Sequence, residues 1–166
     1  IAGSLDYQGI VELVGDKLCE VLGSRNVAIT WLDHDRHATR FLYAKEHGQR
    51  LAIPDLELDE ATWARRAALR QPAVANTADE DDDSTLVAGT DMPKSSVTVP
   101  LVIGDLRVGG ISMEDHEREY AFGEAEVRLM QTVGSAMAVA LQSAQRFDET
   151  QRLLKENEAR NAELAI

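Results

Sequence analysis

The chain has 166 residues, 44% of them apolar, enough for one domain with a packed core plus an extension. Acidic residues outnumber basic ones 29 to 17, a formal net charge of -12. That argues against nucleic acid and anionic membrane surfaces as partners, because both demand a positive footprint.

One cysteine, Cys19, excludes an internal disulfide and a multi-thiolate metal site. No apolar run approaches the roughly 18 residues of a membrane span. No basic-then-apolar leader opens the sequence, and a cytoplasmic setting is expected.

Residues 5 to 22 read as a helix. Ile10, Val14 and Val21, with Leu13, Leu18 and Leu22, form apolar ridges near helical spacing. Asp6 stands where a cap or first-turn acid belongs, and Gly23 is a reasonable stop. "VAITWLD" (27–33) and "TRFLYAKE" (39–46) follow as strands rich in β-branched and aromatic residues, with "HDRHA" as their hairpin loop. Residues 59 to 71 predict a short helix begun by Asp59 and ended before Pro72, and "PAVA" (72–75) one more short strand. From Asn76 to Pro93 there is little pattern; loops that long are usually functional or disordered.

"SSVTVPLVIGDLRVGGISMED" (95–115) is the most organised stretch. Val97, Val99, Leu101 and Ile103 share one face of a period-two strand, and Ser96, Thr98, Pro100 and Val102 the other. Gly104-Asp105 suits a two-residue primed turn. Pro100 predicts limited ladder bonding or a bulge, and Gly109-Gly110 a sheet face open to a packed helix or a ligand.

Phe122 to about Ala165 reads as one helix, with Glu124 and Glu126 at the positive end of its dipole. At about 1.5 Å per residue it outruns a small domain. Its first half is apolar on more than one face, which calls for a second helix, a partner subunit's helix, or both. Val133, Ala136, Ala140, Ser143, Phe147, Thr150, Leu154, Asn157, Asn161 and Leu164 keep strict three-four spacing, the heptad of a left-handed coiled coil. The alternative is a frayed amphipathic tail. The expected dimer interface is therefore Val133, Ala136, Ala140, Phe147, Leu154, Asn157, Asn161 and Leu164.

Helix, two strands, short helix, "QPAVAN", irregular loop, ribbon, and "FGEAEVRLMQTVGSAMAVALQSA" in this order resemble a GAF domain. The most specific elements are Ser96, Val99-Pro100-Leu101, Gly109-Gly110-Ile111 running to Glu114-Asp115, and Phe122 with Glu126. The resemblance spans residues 5 to 145.

It implies an α+β fold: a central antiparallel sheet of five or six strands, terminal helices on one face, and a ligand cavity with the short helix and loops on the other. Residues 1–145 would form the domain and 146–166 a projecting coiled-coil connector. The implied function is non-catalytic sensing or regulation in a multidomain signalling protein, ahead of a histidine kinase of a two-component system, a nucleotide cyclase or a cyclic-di-GMP enzyme. A small molecule of unknown identity would bind, and a homodimeric helix would relay the signal to neighbouring domains. The expected pocket residues are Trp63, Val87, Thr90, Ser96, Thr98 and Ile111.

The subtypes fit poorly. The N-K-x-F-x-x-x-D-E pattern of cyclic-nucleotide-binding relatives is missing around Phe122. "IPD" (53–55) is not the Asp-Ile-Pro signature of bilin-binding relatives, and Cys19 lies on the first helix. Methionine sulfoxide reductase relatives use several cysteines. No cofactor is evident, and a ligand-free dimerisation or spacer module is the alternative reading.

Three constellations are weighed for metal or catalysis. The acidic run Asp79 to Asp83 lacks the alternating ligands and Gly of an EF-hand loop, and reads as a solvated lid. His34 and His37 read as exposed turn histidines. His116, after Glu114-Asp115, has no nucleophile spaced to complete a catalytic set and reads as surface loop. Neither a metal site nor catalytic residues are therefore expected.

Overall fold

The structure, a computed structural model, describes residues 7–80 and 87–165. Asp6, expected as a helix cap, and Asp81 to Asp83 of the acidic run lie outside the described residues. The elements are α1 (Tyr7–Leu22), β1 (Val27–Asp33), β2 (Ala38–Glu46), β3 (Gln49–Arg50), β4 (Leu56–Glu57), α2 (Glu60–Ala68), β5 (Ala73–Ala75), β6 (Ser95–Ile103), β7 (Leu106–Asp115) and α3 (Glu124–Leu164).

The strands form one antiparallel sheet in the order β3-β2-β1-β7-β6-β5, with β4 paired to β2. Among the described residues the sheet has the six-strand path expected, with β4 as a seventh, short strand beside it. The two-residue β3 and β4 are too short for a period-two pattern to register.

The ribbon of β6 and β7 follows the predicted faces. Val97, Val99 and Leu101 are buried, and Gly104 opens the turn with φ 61°. The register shifts between Leu101 and Val102, one residue beyond Pro100. Gly109 is required by close approach: a Cβ there would lie 2.2 Å from the Thr30 carbonyl oxygen of β1. Neither a helix nor a ligand explains that glycine; the neighbouring strand does.

α1 and α3 cover one face of this sheet. Val11, Leu18, Met130, Met137 and Leu141 pack with Ile29, Val97, Val99, Ile111 and Met113 in the core. At about 25 cal/mol per Å² of apolar area removed from water, such side chains dominate the stability. α1 turns most of its predicted ridges to the core, with Ile10, Val14, Leu18 and Leu22 packed there. Val11, Gly15 and Leu18 are buried, whereas Leu13 and Val21 are 59% and 55% exposed.

Tyr43 of β2 packs on the buried side of α1 at Gly15. A Cβ on Gly15 would come within 2.5 Å of its ring, and its hydroxyl donates to Asp16 Oδ1 at 2.8 Å. Burial pushes the Tyr43 phenol up, reinforced by Asp16 and Cys19 beside it. Burial likewise pushes the Tyr7 phenol up to about 12, against the lowering effects of Arg40 and of a hydrogen bond to Gln145 of α3.

α3 is a continuous helix of 41 residues, about 60 Å long. Glu126 Oε2 accepts from the Gly123 N–H at 2.9 Å, the acidic half of a capping box. Leu141 is its last buried residue, and every residue from Gln145 to Ala165 is exposed. Among the described residues no helix is long and apolar enough to cross a membrane.

Candidate functional site

The sheet face opposite α1 and α3 carries a cavity of about 170 Å³. Its floor comes from alternate residues of the central strands: Ala28 and Thr30 of β1, Ser96 and Thr98 of β6, Ser112 and Glu114 of β7. Period-two alternation dictates this, because the intervening Ile29, Val97, Ile111 and Met113 point into the helix-covered core. The walls come from Thr39, Phe41 and Ala44 of β2, Leu51, Ile53 and Leu56 after it, Arg66 of α2, and the segment from Val87 to Pro93.

The floor is polar and internally bonded. Thr98 Oγ1 and Ser112 Oγ lie 2.9 Å apart across the β6–β7 ladder, and Thr30 Oγ1 donates to the Gly110 carbonyl at 3.4 Å. Arg107 enters this floor although only 3% exposed. Its Nε donates to the Gly109 carbonyl at 3.0 Å and its Nη1 to the Arg66 carbonyl. Arg66 Nη1 in turn donates to Thr39 Oγ1 at 2.9 Å. A Cβ on Gly110 would sit 3.0 Å from Arg107 Nη2, so that glycine makes room for a guanidinium.

Four of the six expected pocket residues come together here: Val87, Thr90, Ser96 and Thr98 all line the cavity. The other two are corrected. Ile111 is fully buried on the helix side, since its partner Val99 belongs to the core face; the cavity residue is its neighbour Ser112. Trp63 is buried outside the cavity, stacked on His37 with centroids 4.9 Å apart and edge-on to His34 at 5.0 Å. Those histidines are therefore not simple exposed turn residues. They form a socket for α2, and His34 Nε2 donates to the Arg107 carbonyl at 2.7 Å. His37 reaches its place with φ 50°.

α2, which gives Arg66 to the cavity wall, starts at a side-chain cap. Asp59 Oδ1 accepts from the Thr62 N–H at 3.0 Å, which holds its carboxyl below the usual range. At the far end of β7, His116 is also not a surface residue: its side chain is 9% exposed, beside Glu46 and Glu114.

Arg107 carries no pattern that marks it as inward, because the bulge opposite it, after Leu101, changes the register on which alternation relies, and Arg66 lies on a helix that the sheet pattern does not orient. The legible hint for Arg107 was Gly110, three residues on. Of the expected interface residues, Phe147, Leu154 and Leu164 are exposed, as are Ala136, Asn157 and Asn161, while Ala140 is half-buried and Val133 packs partly against the chain's own core. Cys19 is half-buried on α1, 3.7 Å from the Tyr43 hydroxyl, on the face away from the cavity.

A family model described as GAF domain matches residues 4–142. No curated protein sequence matches the chain. Among solved structures, a methyl-accepting chemotaxis protein (residues 122 to 287) superposes with a TM-score of 0.69 at 20% identity, over 86% of this chain and 91% of that one. The GAF domain from an Acinetobacter phosphoenolpyruvate-protein phosphotransferase gives 0.69 at 13% identity, covering 87% of each chain. The blue-light absorbing form of the Thermosynechococcus elongatus PixJ GAF domain gives 0.62 at 17% identity, over 94% and 97%. At these identities the likeness is one of fold.

Proposed function

The chain belongs to the GAF domain family, and we propose that it is a non-catalytic sensory domain of a cytoplasmic signalling protein. It would bind a small polar molecule in the cavity and relay occupancy through a homodimeric α3. The observation that carries this reading is the placement of cavity and helix on opposite faces of the same strands. Ser96 and Thr98 line the cavity, while Val97, Val99 and Leu101 of the same strand seat α3. A ligand that shifts β6 by a fraction of an ångström acts on both faces, because a packed core does not absorb strain locally.

The cavity volume of about 170 Å³ favours a compact ligand, since drug-sized molecules occupy roughly 300–1,000 Å³. Its hydroxyls and guanidinium groups favour a molecule with hydrogen-bond acceptors. The structural relatives from a chemotaxis protein and a phosphotransferase support a signalling context. The output domain would be a histidine kinase, nucleotide cyclase or cyclic-di-GMP enzyme joined to α3.

The small volume also favours a second reading, a ligand-free spacer that only dimerises its neighbours. A reductase of the methionine sulfoxide type has less support, because Cys19 packs on Tyr43 rather than facing the cavity. Native mass spectrometry of the gently purified chain separates the first two readings. A retained small molecule that is lost in a Thr98→Trp variant supports sensing. An empty chain, with no thermal shift across amino acids, nucleotides, haem and carboxylic acids, supports the spacer.

A further inference from the structure

At the edge of the cavity, three chain segments bring metal-capable side chains together. Glu46 and His47 lie at the end of β2 and its turn, and His116 lies just past β7. One donor atom from each of these three residues falls within 4.8 Å of the others. His116 Nε2 is 3.6 Å from Glu46 Oε1 and 3.7 Å from Glu114 Oε2, and the His47 and His116 rings are 4.8 Å apart. His116 is nine-tenths buried, and neither of its ring nitrogens has a hydrogen-bond partner among the described residues. A buried imidazole with two unsatisfied nitrogens is costly, and such groups call for a specific explanation.

We propose that Glu46, His47 and His116 form a binding site for a divalent transition-metal ion of the zinc class, with Glu114 beside it. Hard cations such as calcium and magnesium prefer an all-oxygen shell, whereas two imidazoles and a carboxylate are a zinc-type donor set. Zinc–ligand bonds of about 2.0–2.1 Å in a tetrahedron put donors about 3.3–3.4 Å apart. The 3.6 Å pair is close to that already, and the widest separation must contract by somewhat more than an ångström. The local excess of carboxylates also attracts a dication.

The surroundings hold these donors from behind. A metal-bound imidazole needs its second nitrogen to donate to an acceptor, and Asp91 Oδ2 already lies 2.8 Å from His47 Nε2. His47 is fixed by its turn, with φ 50° followed by Gly48 at 79°. Asn26 ties the two ligand-bearing segments together: its Oδ1 accepts from the His47 N–H at 2.7 Å, and its Nδ2 donates to the Glu114 carbonyl at 3.2 Å. Glu46 Oε1 also accepts from the Asp91 N–H at 3.1 Å.

Glu46, Asp91 and Glu114 all line the cavity. A bound ion therefore fastens the segment around Asp91 to the sheet at the cavity mouth. The proposal stands on the cluster alone and does not depend on what the cavity binds.

The test is titration of the EDTA-treated full chain with zinc chloride by calorimetry, and with cobalt(II) by visible absorption. One saturable equivalent, tetrahedral cobalt bands, and a melting temperature raised by zinc are expected. His47→Ala and His116→Ala should each weaken binding at least about tenfold, and His34→Ala should leave it unchanged. His47 is half-exposed, so its variant keeps the test valid if the His116 variant misfolds. Absence of saturable binding, or one equivalent bound equally well by wild type and His47→Ala, overturns the site.

Discussion

Gly134 of α3 rests on Leu101 of β6: a Cβ at position 134 would lie 3.2 Å from Leu101 Cδ2 and 3.6 Å from Val99 Cγ1. The long helix is thus seated on the strand whose opposite face lines the cavity. Gly134→Ala should be nearly neutral, because relief of glycine's helix penalty of about 1 kcal/mol offsets mild crowding of a flexible leucine tip. Gly134→Val adds two methyl groups beyond alanine's, which the buried contact cannot take up, and should destabilise by about 1–3 kcal/mol. Urea unfolding midpoints of the two variants check this contrast.

Arg107 is expected to be structural as well as part of the cavity floor. Replacing it by Met leaves the Gly109 and Arg66 carbonyls without these donors, at a cost of about 1–3 kcal/mol. Arg107→Lys should rescue little, since one ammonium does not reproduce a planar fork. Equilibrium unfolding of both variants is the check, and equal stability of Lys and wild type would contradict it.

Two carboxylates make stability fall in acid. Burial pushes the Asp115 carboxyl up, but the Arg118 and Glu117 backbone N–H groups and the Arg118 guanidinium outweigh it and hold the group below its ordinary value. Asp59 is lowered by the Thr62 N–H. A depressed folded-state pKa contributes stability above the unfolded-state value of about 3.9, lost as pH falls through the folded-state value. Asp115→Asn should therefore melt below wild type at pH 7. The gap should narrow below about pH 4, where wild type loses the same contribution. Melting curves from pH 7 to pH 3 decide it.

The sheet faces, the ribbon turn and the two terminal helices were legible because they depend on local periodicity and turn chemistry. α2 was legible from Asp59, whose side chain caps it as expected. Residues that depend on long-range pairing were not. Ile111 and Ser112 are adjacent in sequence, and only the register with Val99 and Thr98 tells which faces the cavity. His47 and His116 are separated by 68 intervening residues and meet only because β2 and β7 both flank β1. The burial of Val11 and Gly15 in α1 goes with a long-range contact, the Tyr43 ring against Gly15. Helical spacing alone, with Leu13 and Val21 as good as Val11, does not choose between the two faces.

The exposed half of α3 presents Phe147, Leu154 and Leu164 at 49%, 50% and 77% exposure, apolar side chains that a monomer leaves in water. Sedimentation equilibrium of the chain over a wide concentration range measures most directly whether this helix pairs. The account predicts a reversible dimer that Phe147→Glu with Leu154→Glu converts to a folded monomer. A wild-type chain that stays a single subunit at the highest concentration would contradict it and leave the cavity without a means of relaying its state.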